Sequence, residues 1–200
     1  MQSLHQFIRK IMFMGSIRMN KFLQFFGVLL VLISSAFAQE RNWKTFSPDN
    51  GRWSILAPGS MSPDKEALES PSTTGSYSYN DSEGFFAVIY RDTPNGRILW
   101  KPLKKAHYKR VRNDFIKSNK GELLKDESFS NGNVEGREVH IKVPDGRAMS
   151  PEGQIKTKYR VQRLRMFFDD RRFYLLLAVL PEGEIDSPVI NNYFNSFVIK

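Results

Sequence analysis

The chain has 200 residues, with 30 Lys+Arg against 21 Asp+Glu for a net charge of +9, and no cysteine. Four of the cations, and no acid, fall in residues 1–38, which leaves 26 against 21 for the remainder. This balance describes a mildly basic globular domain rather than a polybasic nucleic-acid arm. The missing thiols exclude disulfide scaffolds, thiolate zinc sites, iron–sulfur clusters and cysteine nucleophiles.

Residues 1–38 read as a secretory signal peptide. Lys21 precedes an uncharged run from Phe22 to Ala38, and Ala36-Phe37-Ala38 gives a small-x-small cleavage pattern. The apolar core, Phe22 to Ile33, is short for a span of about 20 residues, so cleavage before Gln39 is expected rather than anchoring. Met19 lies just before Asn20-Lys21, and residues 1–18 read as an over-long choice of start. The remaining segment, 39–200, contains no repeat and reads as one domain of an exported protein, periplasmic or extracellular.

Trp43–Phe46 and Trp53–Leu56 flank Ser47-Pro48-Asp49-Asn50-Gly51, a strand–turn–strand pattern in which Asn-Gly supplies positive φ. Residues 58–76 are rich in Pro, Ser and Gly and read as a surface loop. Tyr77 and Tyr79, a turn at residues 80–84, and Phe85–Tyr90 predict a hairpin. From residue 98 the period changes. Leu99, Leu103, His107 and Val111 recur at i+4, followed by Phe115, which predicts a helix starting near Trp100 or Lys101 and ended by Gly121. Val139, Ile141 and Val143 return to period two. The strand Ile155–Phe168 slips phase near Gln162-Arg163, as a β-bulge would make it do. Phe173–Leu180 is continuously apolar, as in a strand covered on both faces. Asp169–Arg172 joins the two as a hairpin. Ser187 as N-cap and Pro188 at N1 open a final helix reaching Phe197. Runs of strands with two helices predict an α+β fold, an antiparallel sheet flanked by helices.

Trp43-x-x-Phe46 followed by Gly51-x-Trp53-Ser54-Ile55-x-x-Pro58 resembles the opening of PsbP-like proteins. Arg172-Phe173-Tyr174-x-Leu176 and Phe194-Asn195-Ser196-Phe197 resemble that family's late strand and C-terminal helix. The resemblance covers most of residues 41–198 in element order. It implies an α/β/α sandwich and a non-enzymatic accessory or binding role, and it brings no catalytic set.

The residues themselves also carry no catalytic motif. G-x-S-x-G, H-E-x-x-H, P-loop and G-x-G-x-x-G are absent. His107 falls on the apolar helix face and reads as a core or edge histidine, and His140 reads as solvated on the polar face of its strand. Two histidines without cysteine make a poor metal site, and no cofactor or metal is expected. Glu182, Glu184 and Asp186 alternate around Gly183 but lack the further ligands of a calcium loop, so they read as a solvated loop before a helix. Asp169 and Asp170 are consecutive turn residues that point apart, which is wrong for an acid–base pair.

The expected site is the basic helix. Lys101, Lys105, Lys109 and Arg112 fall within one arc, set opposite Leu103, His107 and Val111. Like charges at i, i+4 cost a helix a few tenths of a kcal/mol per pair. The row therefore reads either as a solvated face or as a docking face for an anionic protein, lipid headgroup or glycan. A second basic row runs along Lys156, Lys158, Arg160, Arg163 and Arg165. Nucleic acid is disfavoured by export and by the lack of aromatic interleaving, and membrane contact is expected only through an uncleaved leader. The rival readings are a hydrolase with an unrecognised site, which predicts convergent carboxylates beside His140, and a carrier of a small apolar ligand, which predicts a lined cavity.

Overall fold

The computed structural model describes residues 42–48, 51–65, 74–93, 101–131, 134–149, 151, 153–169 and 172–200. The expected leader at 1–38 and the Asn50 turn position lie outside them. So do residues 66–73 of the predicted loop, Leu99 and Trp100. Among the described residues ten strands and two α-helices follow in order. They are β1 (Lys44–Phe46), β2 (Trp53–Ala57), β3 (Ser62–Pro63), β4 (Gly75–Asn80), β5 (Phe85–Asp92), α1 (Lys101–Ser118), β6 (Glu122–Asn131), β7 (Val134–Met149), β8 (Ile155–Asp169), β9 (Arg172–Pro181), α2 (Pro188–Asn195) and β10 (Val198–Ile199).

Seven strands form an antiparallel sheet in the order β3-β4-β5-β9-β8-β7-β6, and β1-β2-β10 form a smaller one. The doubly apolar run Phe173–Leu180 occupies the middle strand, β9, where both faces are covered. On one face Val161, Phe167, Leu176 and Ala178 pack with Ile190, Tyr193 and Phe194 of α2. On the other, Leu164, Met166, Leu175 and Leu177 pack with Tyr108, Val111 and Phe115 of α1.

The aromatic residues of the opening and closing motifs converge in the first of these layers. Trp53 stacks on Phe197 with ring centroids 5.6 Å apart, and Phe197 also meets Tyr174 at 5.3 Å. Buried aromatic pairs of this kind add about 0.5–1.5 kcal/mol each beyond their area. A void of about 40 Å³ lies beside Phe129, Phe167 and Phe197.

The structure departs from the sequence reading at four points. The predicted bulge at Gln162-Arg163 is absent, because β8 pairs with β9 in unbroken register from Arg160 to Asp169. The phase slip arises because Arg163 and Arg165 take core positions that apolar residues would otherwise fill. His140 is buried, not solvated, at 4% exposure. Glu122–Asn131, with Leu123 and Leu124 exposed, forms an additional edge strand that has no apolar periodicity to announce it. Finally, Gly121 is not the left-handed residue that ends α1. That role falls to Lys120, at φ 50°. Gly121 donates its N–H to Ile116 O at 2.9 Å, closing a Schellman motif. A Cβ on Gly121 would lie 2.5 Å from Ile141 Cγ2, so glycine is required there by close approach.

Candidate functional site

The basic helix sits differently from its sequence wheel. Strict i+4 steps drift by about 40° around a helix, so the ladder Leu103, His107, Val111, Phe115 does not follow one contact line. Leu103 stays 47% exposed, and Tyr108, off the ladder, is the fully packed residue. Burial pushes the Tyr108 phenol up to about 12. His107 is half-buried, edge-on to Phe173 at 4.7 Å and to Phe168 at 5.4 Å. Its pKa is lowered by burial first, then by the charges of Arg91 and Arg110. The cationic arc therefore flanks the packed face instead of opposing it.

Along that flank, between α1 and the β6–β7 edge of the sheet, runs a cleft of about 850 Å³. Lys104, Lys105, Lys109 and Arg112 line it from the helix, and Arg137 from β7, against the carboxylates of Asp126 and Glu135. Tyr108 and Met166 also line it. Asp126 is already engaged on both sides. Arg112 Nη1 donates to its Oδ2, and Arg137 Nε donates to its Oδ1 at 2.9 Å. Arg137 also donates to Ser128 Oγ at 3.0 Å. Lys105 and Lys109 are exposed and make no ion pair among the described residues. Of the four residues expected to act together, Lys105, Lys109 and Arg112 do line one cleft. Lys101 stays exposed outside the lining, and Arg112 is committed to Asp126. Lys104, which half-buries its stem and sets its ammonium 5.8 Å over the Phe168 ring, joins them.

The other face holds a buried ionic cluster that the sequence reading did not assemble. β7 and β8 pair Glu138 with Arg165 and His140 with Arg163. Arg165 donates twice to Glu138 Oε2, at 2.9 and 2.7 Å, and Arg163 Nη2 lies 3.0 Å from Oε1. His140 Nε2 lies 3.3 Å from the same Oε1. Burial alone would raise the Glu138 carboxyl. The His140 hydrogen bond and the two guanidinium groups outweigh it and hold the carboxyl well below the usual carboxylate range. The outer edges of the two arginines tie down α2. Arg165 Nη1 donates to Phe194 O at 3.0 Å and Asn195 Oδ1 at 2.9 Å, and Arg163 Nη1 donates to Asn191 Oδ1 at 2.7 Å. Cations are favoured at a helix C-terminus, where carbonyls lack partners. The second basic row therefore divides: Arg163 and Arg165 are internal, whereas Lys156 and Lys158 are exposed. Of the acidic run, Glu182 bonds Lys142 at 2.8 Å and Asp186 lies 3.7 Å from Arg163, so these two serve separate cations.

An antiparallel sheet with helices packed from the two layers described defines an α+β protein of PsbP-like fold. The solution structure of cyanobacterial PsbP from Synechocystis sp. PCC 6803 matches it with a TM-score of 0.56 over 82% of this chain and 96% of that one, at 12% identity. The Ran-binding protein Mog1p of Saccharomyces cerevisiae matches with a TM-score of 0.45 over 80% and 96%, at 14% identity. A protein of unknown function from Pseudomonas aeruginosa matches with a TM-score of 0.45 over 79% and 97%, at 6% identity. No protein-family model and no curated protein matches the sequence.

Proposed function

We propose that this is an exported, non-enzymatic binding or assembly protein, an α/β/α sandwich that follows a signal peptide and works in the periplasm or outside the cell. It docks an acidic segment of a partner protein in the cleft between α1 and β6. The observation that carries this reading is the charge of the cleft. Five cations line it against two carboxylates, and one of those, Asp126, is already held by two arginines. A concave site lined by one sign of charge concentrates counter-charge and speeds encounter. The protein-segment reading is supported by β6, which pairs only with β7 among the described residues and leaves its outer backbone edge open beside the cleft. An extended chain can add to such an edge.

The test is fluorescence anisotropy with a labelled glutamate-rich peptide at low and at near-physiological salt. Binding that weakens with salt, and that falls at least tenfold in Lys105→Glu/Lys109→Glu with an unchanged melting temperature, is the expected result. Lys101→Glu, outside the lining, should cost less. Equal binding by the double variant and the parent would overturn the site. Binding of a sulfated glycan in place of the peptide would overturn the partner class.

A further inference from the structure

The β7–β8 hairpin is longer than the sheet that carries it. β9 pairs with β8 only from Arg160 onward, so residues 144–149 and 155–159 form a two-stranded ribbon with no third strand among the described residues. Every described residue of this arm is exposed. A register shift between Pro144 and Arg147, with Gly146 at φ 97°, marks where it leaves the body, as bulges do when they bend a strand. At its far end Met149 and Ile155 are cross-strand partners, 75% and 67% exposed. An isolated ribbon is marginal in water, and this one ends in two large apolar side chains that no described residue covers.

Charge indicates what covers them. Arg147, Lys156 and Lys158 stand behind the apolar pair. Asp145 is bonded to Arg160 at 2.9 Å, which leaves Glu152 as the arm's other acid. At about 3.3 Å per residue the three cations lie within roughly 10 Å of Ile155 along the strands. An apolar element entering a bilayer interface sinks about 5–10 Å, which puts these cations at the level of lipid phosphates. Tyr159, with Lys142 Nζ 4.7 Å over its ring, marks the base of the arm with an aromatic of the kind found at membrane interfaces.

We propose that the arm is a membrane-contact device. Met149 and Ile155 insert into the interface of an anionic bilayer, and Arg147, Lys156 and Lys158 bind its phosphates. This site is separate from the cleft and does not depend on it.

The absence of cysteine allows a clean test in the full chain. Ala148→Cys, labelled with an environment-sensitive nitrobenzoxadiazole dye, reports on the arm alone, even where the leader inserts elsewhere. Vesicles of phosphatidylcholine with and without phosphatidylglycerol are the probe. A blue shift and brightening with the anionic vesicles only is the expected result. It should vanish on adding Met149→Asp and Ile155→Asp. The lipid needed should rise about fivefold for each of Arg147→Gln, Lys156→Gln and Lys158→Gln, at the usual strength of one cation near an anionic surface. Circular dichroism confirms folding, since no substituted side chain is buried. No dye response to anionic vesicles would overturn the proposal, as would an equal response from the aspartate variant. A concentration-dependent response without lipid would assign the arm to self-association instead.

Discussion

The two faces of the large sheet put their cations to opposite ends. Beneath α2, Arg163 and Arg165 are sealed from water and matched to Glu138, two asparagines and helix-end carbonyls. Beneath α1, a cleft opens between the helix and the β6–β7 edge, and Lys105 and Lys109 line it without an ion pair among the described residues. A buried charge contributes only when paired and hydrogen-bonded, and it becomes a liability once its partner is gone. An exposed charge contributes almost nothing to stability and is therefore free to serve recognition. The buried cations are arginines, whose planar forks satisfy several acceptors at once, and the unpaired ones in the cleft are lysines.

Breaking the buried cluster is the severest way to separate the two faces. Glu138→Ala leaves two guanidinium groups in a closed layer, and a loss of about 3–5 kcal/mol is expected, read as a lower midpoint in urea unfolding. Joint replacement of Glu138, Arg163 and Arg165 by apolar residues of similar volume should restore most of it. Lys105→Glu/Lys109→Glu on the other face should leave the midpoint in place. The pH dependence follows from the direction of the Glu138 shift. Its folded pKa lies below its unfolded value, so the unfolded chain takes up the proton first. The stability it contributes is complete above the usual glutamate range, near 4.3, and is lost as the pH falls through and below that range. Glu138→Gln should flatten this acid limb in melting curves taken from pH 6 to pH 2.

The same cluster shows what a sequence conceals. Strand periodicity placed both N-terminal hairpins, the central β9 and the capped α2 correctly. At α2, Ser187 accepts from Ile190 N–H as the Ser-Pro pattern requires. The rule that inward positions are apolar put a false bulge inside β8 and left His140 in solvent, because cross-strand pairing of Glu138 with Arg165 and of His140 with Arg163 replaces burial of methyl groups by burial of matched charge. Sequence separation hid the partners, since Glu138 and Arg165 lie 27 residues apart. The candidate cleft was half legible. The helical wheel found Lys105, Lys109 and Arg112, but the drift of the i+4 ladder set them opposite the packed face, and nothing local revealed that Asp126 of β6 claims Arg112. Lys104 was passed over because it lies among the packed residues.

A smaller break on the α2 side concerns Tyr193. Its hydroxyl donates to Ala87 O at 2.9 Å inside the aromatic layer, and burial raises its pKa strongly. Tyr193→Phe removes the donor and leaves the ring, and a loss of about 1.5 kcal/mol is expected, measured as the shift in denaturation midpoint. The ring contacts with Phe86 at 5.2 Å and Phe194 at 5.0 Å should hold the helix in place, so near-ultraviolet circular dichroism should change little.

The sharpest comparison comes from Asp126→Asn in the open cleft. Asp126 holds Arg112 and Arg137 with its side chain 16% exposed, so it belongs neither to the sealed cluster nor to the free rim. Neutralising it removes two partly solvated ion pairs but leaves an amide oxygen to accept one hydrogen bond. A loss of about 1 kcal/mol is expected, at the upper end for such pairs. Binding should move the other way. With the carboxylate gone, both guanidinium groups face the cleft with their charge uncompensated, and an acidic peptide should bind several-fold more tightly, with a steeper dependence on salt. In the buried cluster, removing the carboxylate at Glu138 leaves its arginines no partner but the protein interior. At Asp126 the ligand can replace what was removed, and a variant that lost stability and peptide affinity together would show that the cleft arginines hold the fold rather than the partner.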